Sequence, residues 1–209
     1  MNGMSRLDLC LTLLAAPLLL APATLAQPLN QLERDYAAGA LHSTNKMFID
    51  TIAGLSDAQM KWKPAPDAWS IAEVAEHIAL AEDMLPELAR KAMAQPATPE
   101  KKQANPRVMD EKIMKTVPVR DQKFKAPEVL QPKSTFASTA ALLAAFKASR
   151  SRNIDYVWTT QDDLRSHFAP HPVLGDLDCY QWYILMAAHC QRHVNQIQEV
   201  MANPDFPKK

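Results

Sequence analysis

The apolar positions of the chain favour helices in four long stretches, joined by polar or proline-bearing segments. We predict long helices at residues 32–55, 70–93, 138–158 and 178–201, and a short helix at 106–115. The longest connection, residues 95–133, lies between the second and third long helices. This order predicts an all-α fold in the form of a four-helix bundle, with a long crossover between helices 2 and 3.

The second long helix has a sharp predicted beginning and a continuous apolar face. Ser70 and Glu73 form an S-x-x-E capping box, in which each side chain bonds the backbone N–H group of the other residue. An apolar arc follows along the helix at Val74, Ile78, Ala81, Leu85 and Leu88. Pro86 lies within this helix and predicts a kink, because proline removes one backbone hydrogen bond.

The fourth long helix carries two histidines on its apolar face. On a helical wheel, one arc of roughly 80° contains Trp182, Met186, His189, His193, Ile197 and Val200. The opposite side contains Gln191, Asn195, Gln198 and Glu199. His189 and His193 are therefore predicted to point into the core of the bundle.

The crossover differs from the rest of the chain in composition. Residues 95–133 contain six prolines, nine Lys or Arg and five Asp or Glu, which leaves a net charge of +4. Proline at this density favours extended backbone outside the short helix at 106–115. We interpret the crossover as a basic, solvated connection rather than a binding patch.

The composition of the whole chain indicates an ordinary globular protein. It has 209 residues, of which 47% are hydrophobic, and its formal net charge is zero. The neutral charge gives no indication of nucleic-acid binding. Cys179 and Cys190 are eleven residues apart. On one continuous helix that spacing is about 16 Å, too far for a disulfide bond between them.

The first 26 residues have the order of a secretory signal peptide. Arg6 precedes the apolar run LCLTLLAAPLLL, and small residues follow up to Gln27. Pro17 and Pro22 disfavour a stable membrane span, so we expect no membrane anchor after cleavage. The sequence predicts a secreted, periplasmic protein whose helical domain occupies residues 27–209.

Three histidines form a candidate metal site. His189 and His193 are four residues apart on one helical face, a spacing that lets two imidazoles bind one ion. His77 lies at the edge of the apolar arc of the second helix and completes the set. Three protein ligands with open positions are typical of a catalytic metal site. The alternative is that these are core histidines, hydrogen-bonded to the backbone or to each other.

Two further residues are candidates beside this site. Glu73, one turn before His77, is the catalytic candidate, although the capping box already accounts for it. Gln196, three residues after His193, is a candidate to hydrogen-bond a ligand. Its alternative role is that of a polar residue at a boundary between helices.

The remaining histidines and cysteines are assigned to structure. In HCQRH, Cys190 stands where a zinc metalloprotease has its glutamate, so that activity is not inferred and the residue is interpreted as core. His167 and His171 repeat the spacing of four, but two flanking prolines forbid a regular helix and predict a loop. His42 is expected at the surface.

The stretches WSIAEVAEHIALAE and HPVLGDLDCYQWYILMAAHCQRHVNQI resemble the DinB/YfiT-like superfamily of small helical proteins. The resemblance extends from about Leu32 to Met201. It implies a four-helix bundle with a long link between helices 2 and 3, and a divalent metal held by His77, His189 and His193. Some members of the family are thiol-dependent transferases or isomerases, and dimers occur, so a homodimer is implied as well.

Two functions from different classes follow from these predictions. The first is an exported enzyme in which a divalent metal serves hydrolysis or thiol transfer on a small molecule that the sequence does not identify. Zinc or nickel suits imidazole ligands best, and iron or manganese remains open. The alternative is a non-catalytic bundle that binds a metal or a small ligand. A purely structural role for the histidines is the third interpretation.

Overall fold

The structure, a computed structural model, describes residues 27–208, and these residues are mainly helical. The helices are α1 (Gln31–Ile52), α2 (Asp57–Lys61), α3 (Ile71–Met93), α4 (Arg107–Thr116), α5 (Thr139–Thr159) and α6 (Cys179–Met201). Strands β1 (Phe168–His171) and β2 (Gly175–Asp178) connect α5 to α6. The prediction of a mainly helical fold is confirmed. The predicted signal peptide, residues 1–26, lies outside the described part of the chain.

The long helices pack around α6 and α5. Helices α1 and α3 each contact both α6 and α5, and α4 packs against α6. One cluster of buried side chains surrounds the first half of α6 and includes Leu41, Leu85 and Ile184. A second cluster surrounds its other half and includes Phe48 and Val194. The core therefore follows α6 along its length, because most of this helix faces other helices.

Side-chain caps define where the long helices begin. Ser70 caps α3 and Asp178 caps α6, each in a reciprocal capping box. Ser138 caps α5 by accepting a hydrogen bond from the backbone N–H of Ala141. These three residues stand at the predicted starts of their helices, and the predicted short helix at 106–115 corresponds to α4. Helix α3 runs without a break past Pro86, and the predicted kink there stays a prediction.

The first predicted helix was too long. Helix α1 ends at Ile52, and Gly54 adopts a positive φ of 72° that leads the chain away. Ser56 then starts the separate short helix α2, which the sequence analysis missed. A single turn of helix has too few residues to display a period of its own.

The segment around His167 and His171 was predicted as a loop and is a β-hairpin. Strand β1 pairs antiparallel with β2, and Pro170 lies opposite Asp176. In a sheet of two strands both are edge strands, so a proline that cannot donate a hydrogen bond is tolerated. Gly175, with a φ of 79°, begins the second strand.

The crossover, residues 95–133, is exposed over most of its length, as we expected, and hydrogen bonds hold it to two helices. Arg192 and Asn195 on α6 donate hydrogen bonds to backbone carbonyls of segment 117–122. At the other end, the carboxylate of Glu76 on α3 accepts hydrogen bonds from the backbone N–H groups of residues 133–135. After α3, the crossover therefore packs against α6 at residues 117–122 and comes back to contact α3 at residues 133–135. Among residues 27–208 no helix has the length and apolar character needed to cross a membrane.

Candidate metal centre

The structure brings the three predicted histidines together between α3 and α6. His77 lies on the second turn of α3 and is 3% exposed, while His189 and His193 lie one turn apart on α6. The Nε2 atom of His77 is 3.1 Å from the Nε2 atom of His189 and 3.1 Å from that of His193. All three candidate ligand atoms lie within 4.8 Å of one another. The packing of α3 on α6 thus aims three ring nitrogens at one point.

These separations fit one transition-metal ion. Metal–nitrogen bonds of about 2.0–2.1 Å place neighbouring nitrogens about 3.3 Å apart in a tetrahedral site and about 2.9 Å apart in an octahedral one. The observed 3.1 Å falls between these two values. His77 could therefore share an ion with His189 and with His193 with little movement of either pair, while the third separation lies within 4.8 Å. The two spacings do not select one geometry.

A backbone carbonyl sets the tautomer of His77. Its Nδ1 atom lies 2.8 Å from the carbonyl oxygen of Leu130, in the crossover. A carbonyl oxygen only accepts hydrogen bonds, so Nδ1 must carry the proton of the neutral ring. The Nε2 atom then presents its lone pair to the other two histidines, as a metal ligand must.

Gln196 sets the tautomer of His193 in the same way. Its Oε1 atom is 2.8 Å from Nδ1 of His193 and 3.2 Å from Nη1 of Arg120. Arginine only donates hydrogen bonds, so the amide oxygen, not the amide nitrogen, must face it. That oxygen accepts a hydrogen bond from Nδ1–H of His193, which leaves the lone pair on Nε2. The structure thus places Gln196 in hydrogen-bond contact with His193, while its role beside a metal ligand stays a prediction.

The three rings are uncharged at neutral pH. Burial lowers the pKa of His77, although the hydrogen bond with Leu130 opposes this. Burial and the charge of His77 lower the pKa of His193 to about 3. Burial, and then the charges of His193 and His77, hold the pKa of His189 well below its usual value. With Nδ1 protonated in both rings, the Nε2 lone pairs of His77 and His193 face each other at 3.1 Å. Two facing acceptors are unfavourable when buried, and a cation bound between them would remove that cost.

Glu73 is committed to the start of α3. One carboxylate oxygen accepts a hydrogen bond from the backbone N–H of Ser70 at 2.7 Å, and the other accepts one from Nζ of Lys63 at 2.8 Å. Burial raises the pKa of Glu73, but the hydrogen bonds with Lys63 and Ser70 outweigh it and lower the pKa overall. Within residues 27–208, the cluster of candidate ligand atoms around His77 does not include this carboxylate. Both oxygens already have partners, which argues against a catalytic role.

The other reactive side chains lie apart from the centre. Cys190 is buried, and burial raises the pKa of its thiol to about 12, which disfavours the thiolate form. Cys179 is also free and buried. His42 is exposed on α1, as predicted. His171 accepts hydrogen bonds through Nδ1 from two backbone N–H groups of the hairpin turn, and it forms no metal cluster with His167 among the described residues.

Three contacts of the centre were missed by the sequence analysis. They are the carbonyl of Leu130, the guanidinium of Arg120, and the ring of Trp69, whose centroid lies 5.2 Å from that of His77. Trp69 stands directly before the capping-box residue Ser70, so its position in the sequence could have indicated a contact with His77. A backbone carbonyl has no signature in a sequence, and Arg120 is one of nine basic residues in the crossover.

Comparison with known proteins gives two matches. A sequence model described as the DinB superfamily matches residues 40–197, a range that contains all three histidines and Gln196. An uncharacterized protein of Bacillus subtilis (strain 168), YuaE, is 26% identical over 149 residues, which cover 71% of this chain and 87% of the relative. The name of that relative states no activity.

Proposed function

The chain belongs to the DinB superfamily, and on that premise we propose that it binds one divalent transition-metal ion through His77, His189 and His193. The supporting observation is the convergence of three neutral imidazoles, in which Nε2 of His77 lies 3.1 Å from Nε2 of His189 and 3.1 Å from Nε2 of His193. All three donors are nitrogen, which suits zinc or nickel best and leaves iron or manganese as further options.

The reaction classes in this proposal are hydrolysis and thiol transfer on a small molecule. A divalent ion with three neutral ligands and open positions supplies a Lewis acid for either reaction. The protein contributes orientation: the carbonyl of Leu130 and the amide of Gln196 hold His77 and His193 with their Nε2 atoms directed inward. The burial of His77 excludes water from one side of the site.

A non-catalytic metal-binding role is the second candidate, and one observation favours it. A metal-dependent hydrolase commonly uses a nearby carboxylate or histidine as a general base. Both oxygens of Glu73 are held by Ser70 and Lys63, and among residues 27–208 the histidine cluster contains no carboxylate. A site of this kind could hold or sense an ion without turnover.

The finer architecture and the export of the protein belong to the same proposal. The mutual contacts of α1, α3, α5 and α6 support a four-helix bundle with the crossover between its second and third long helices.

The signal-like order of residues 1–26 supports export to the periplasm. N-terminal sequencing of the protein recovered from a periplasmic fraction would test export, and a chain that still begins at Met1 would contradict it.

Metal content tests the metal-binding proposal. The mature protein, purified without a histidine tag or chelators, is measured by inductively coupled plasma mass spectrometry beside His189→Ala and His42→Ala. We expect about one equivalent of a transition metal in the wild type and in His42→Ala, and little in His189→Ala. His42 is an exposed histidine on another helix, so it controls for adventitious binding. A wild type that is metal-free and takes up no zinc, nickel or iron would overturn the proposal.

Turnover by Glu73→Gln separates the two candidates. The substitution keeps the capping geometry but removes the only carboxylate that the sequence offered as a base. If the metal-loaded wild type hydrolyses an ester or transfers a thiol and Glu73→Gln does not, the result supports an enzyme in which Glu73 is the general base. If the metal-loaded wild type catalyses neither reaction across a broad panel, the non-catalytic candidate stands.

A further inference from the structure

The crossover contacts the metal centre from both sides. On the α6 side, Arg192 and Asn195 hold the carbonyls of Val117 and Pro118, each at 3.1 Å. Arg120 follows directly and reaches Gln196. On the α3 side, the carbonyl of Leu130 accepts the hydrogen bond from His77. Two of the three candidate ligands therefore have their outer nitrogens fixed, directly or through Gln196, by residues of one segment.

The orientation of one amide decides whether His193 can be a ligand. As it stands, the oxygen of Gln196 accepts from Nδ1–H of His193, and Nε2 keeps its lone pair. If the amide turned over, its NH₂ group would face Nδ1 and favour the opposite tautomer, with the proton on Nε2. A protonated Nε2 cannot bind a metal.

Arg120 is the group that opposes this reversal. Its Nη1 donates to the oxygen of Gln196 at 3.2 Å, while its Nε donates to Glu199 at 2.8 Å. The side chain of Arg120 is 15% exposed, and its hydrogen bond with Gln196 is partly buried, whereas Glu199 is 57% exposed. A guanidinium has no acceptor, so a reversed amide would place two sets of N–H donors against each other.

We propose that Arg120 is a positioning residue of the metal centre, which acts through the amide of Gln196 to keep Nε2 of His193 free for the ion. The inference rests on the proposed function, because it assigns the residue to that same site. It also makes the crossover a part of the centre, since an element remote from His193 in sequence prepares the ligand. The binding of the ion and the seating of segment 117–122 are then mutually dependent.

A purely electrostatic role for Arg120 predicts the opposite effect on metal affinity. The cation lies close enough to lower the pKa of His193, and it would repel a divalent ion in the same site. If repulsion were its main effect, removal of the charge would strengthen metal binding. If positioning is its main effect, removal weakens binding. The sign of the change therefore separates the two roles.

The first experiment measures the tautomer of His193 in the metal-free protein. Long-range ¹H–¹⁵N correlation spectra of the wild type should show a protonated Nδ1 and an unprotonated Nε2. In Arg120→Gln we expect the opposite tautomer to become populated. Arg107→Gln is the matched control, because Arg107 also lies in the crossover and pairs with Glu111, away from the histidines. An unchanged tautomer in Arg120→Gln would overturn the proposal, whatever the metal content.

The second experiment measures zinc affinity by competition with a chromophoric chelator. We expect Arg120→Gln to bind zinc about 10-fold more weakly than the wild type and Arg107→Gln to bind equally well. In a Gln196→Leu background, Arg120→Gln should have little further effect, because the intermediary is already gone. Additive losses, or tighter binding by Arg120→Gln, would overturn the proposal.

Two further results would separate a failure of the proposed function from a failure of the role proposed for Arg120. If the wild type binds no zinc, the proposed function fails, and the tautomer spectra still decide the role of Arg120. If Arg120→Gln does not fold, Glu199→Gln replaces it in both experiments, because loss of the second partner frees Arg120 without removing it. A smaller tautomer change in the same direction is then expected, and none would overturn the proposal.

Discussion

At the scale of single residues, Glu82 and Arg150 form the most buried ion pair among the described residues. Each side chain is 1% exposed. Arg150 donates from Nε to Glu82 at 2.7 Å, and from Nη1 to the carbonyl of Leu41 and the hydroxyl of Thr44, both at 2.7 Å. Burial opposes the charge of Arg150, but the carboxylate of Glu82 raises its pKa overall. One guanidinium therefore ties α5 to both α3 and α1.

Arg150→Met should destabilise the protein strongly. It leaves the carboxylate of Glu82 buried and unpaired, a situation that costs about 3–5 kcal/mol in the free energy of unfolding. Urea unfolding followed by circular dichroism measures the loss.

The neighbouring Arg152 provides the control for this substitution. It also pairs with a carboxylate of α3, Asp83, at 3.0 Å, but the two side chains are 65% and 68% exposed. Arg152→Met should therefore cost less than about 1 kcal/mol. Adding Glu82→Leu to Arg150→Met should recover part of the loss, since the unpaired charge is removed. Equal losses for the two arginines would contradict the assignment.

At the scale of elements, Glu76 on α3 holds the end of the crossover. Its carboxylate accepts hydrogen bonds from the backbone N–H groups of Lys133 at 2.8 Å, Ser134 at 3.1 Å and Thr135 at 3.0 Å. It accepts a fourth hydrogen bond from the hydroxyl of Thr135 at 2.7 Å. Ser134 has a positive φ of 58°, a conformation that is unfavourable for residues other than glycine. Glu76 thus stabilises a strained turn three residues after Leu130, which contacts His77.

Glu76→Gln should lower stability in a way that depends on pH. Burial raises the pKa of Glu76, but the hydrogen bonds from residues 133–135 outweigh it and lower the pKa overall. A carboxyl with a depressed folded-state pKa stabilises the fold above its unfolded pKa of about 4.3, and this contribution is lost as the pH falls through the folded value.

The difference in unfolding free energy between wild type and Glu76→Gln should therefore be largest above about pH 5 and shrink below about pH 4.3. Chemical unfolding at a series of pH values measures it. Glu87→Gln is the control, because Glu87 is a partly exposed carboxylate on the same helix that pairs with Arg90 and holds no part of the crossover. A Glu76 difference that is constant from pH 7 to pH 3 would argue against a charged anchor.

At the scale of the whole molecule, α6 is the element on which the site and the core both depend. It packs against α1, α3 and α4, and it carries two of the three candidate ligands. The third comes from α3, and the groups that orient the ligands come partly from the crossover. Two helices must pack before the histidines meet, and the crossover must dock to orient two of them, so metal binding should depend on the assembly of all three segments.

The metal-free protein should lose stability as the pH falls below about 6.5. An unfolded histidine binds a proton near that pH, whereas burial holds the folded pKa of His193 at about 3. The unfolded chain therefore binds more protons than the folded chain between these values, and acid favours unfolding.

The loss should be measurable as a falling melting temperature of chelator-treated protein between pH 7 and pH 5. His193→Leu should fall less steeply over the same range, because it lacks the titrating ring. His42→Leu should follow the wild type, since that ring is exposed. Parallel curves for wild type and His193→Leu would show that His193 does not resist protonation in the folded state.

Local patterns predicted helix boundaries well and short elements badly. Ser70, Ser138 and Asp178 act as caps where the sequence predicted helices to begin, because a cap depends on only a few neighbouring residues. Helix α2 and the hairpin of β1 and β2 were missed. Each is four or five residues long, too short for an apolar period to distinguish it from a loop.

The sequence by itself determined that His189 and His193 share one face of a helix and that His77 lies beside the apolar face of another. Spacing along a helix follows from local backbone geometry, so it can be counted from residue numbers. Only the tertiary structure decided that Nε2 of His77 lies 3.1 Å from the Nε2 atoms of both His189 and His193, because this depends on the axial register of α3 against α6. Leu130 and Arg120 reach the centre through contacts with residues 53 and 76 positions away, which no local pattern encodes.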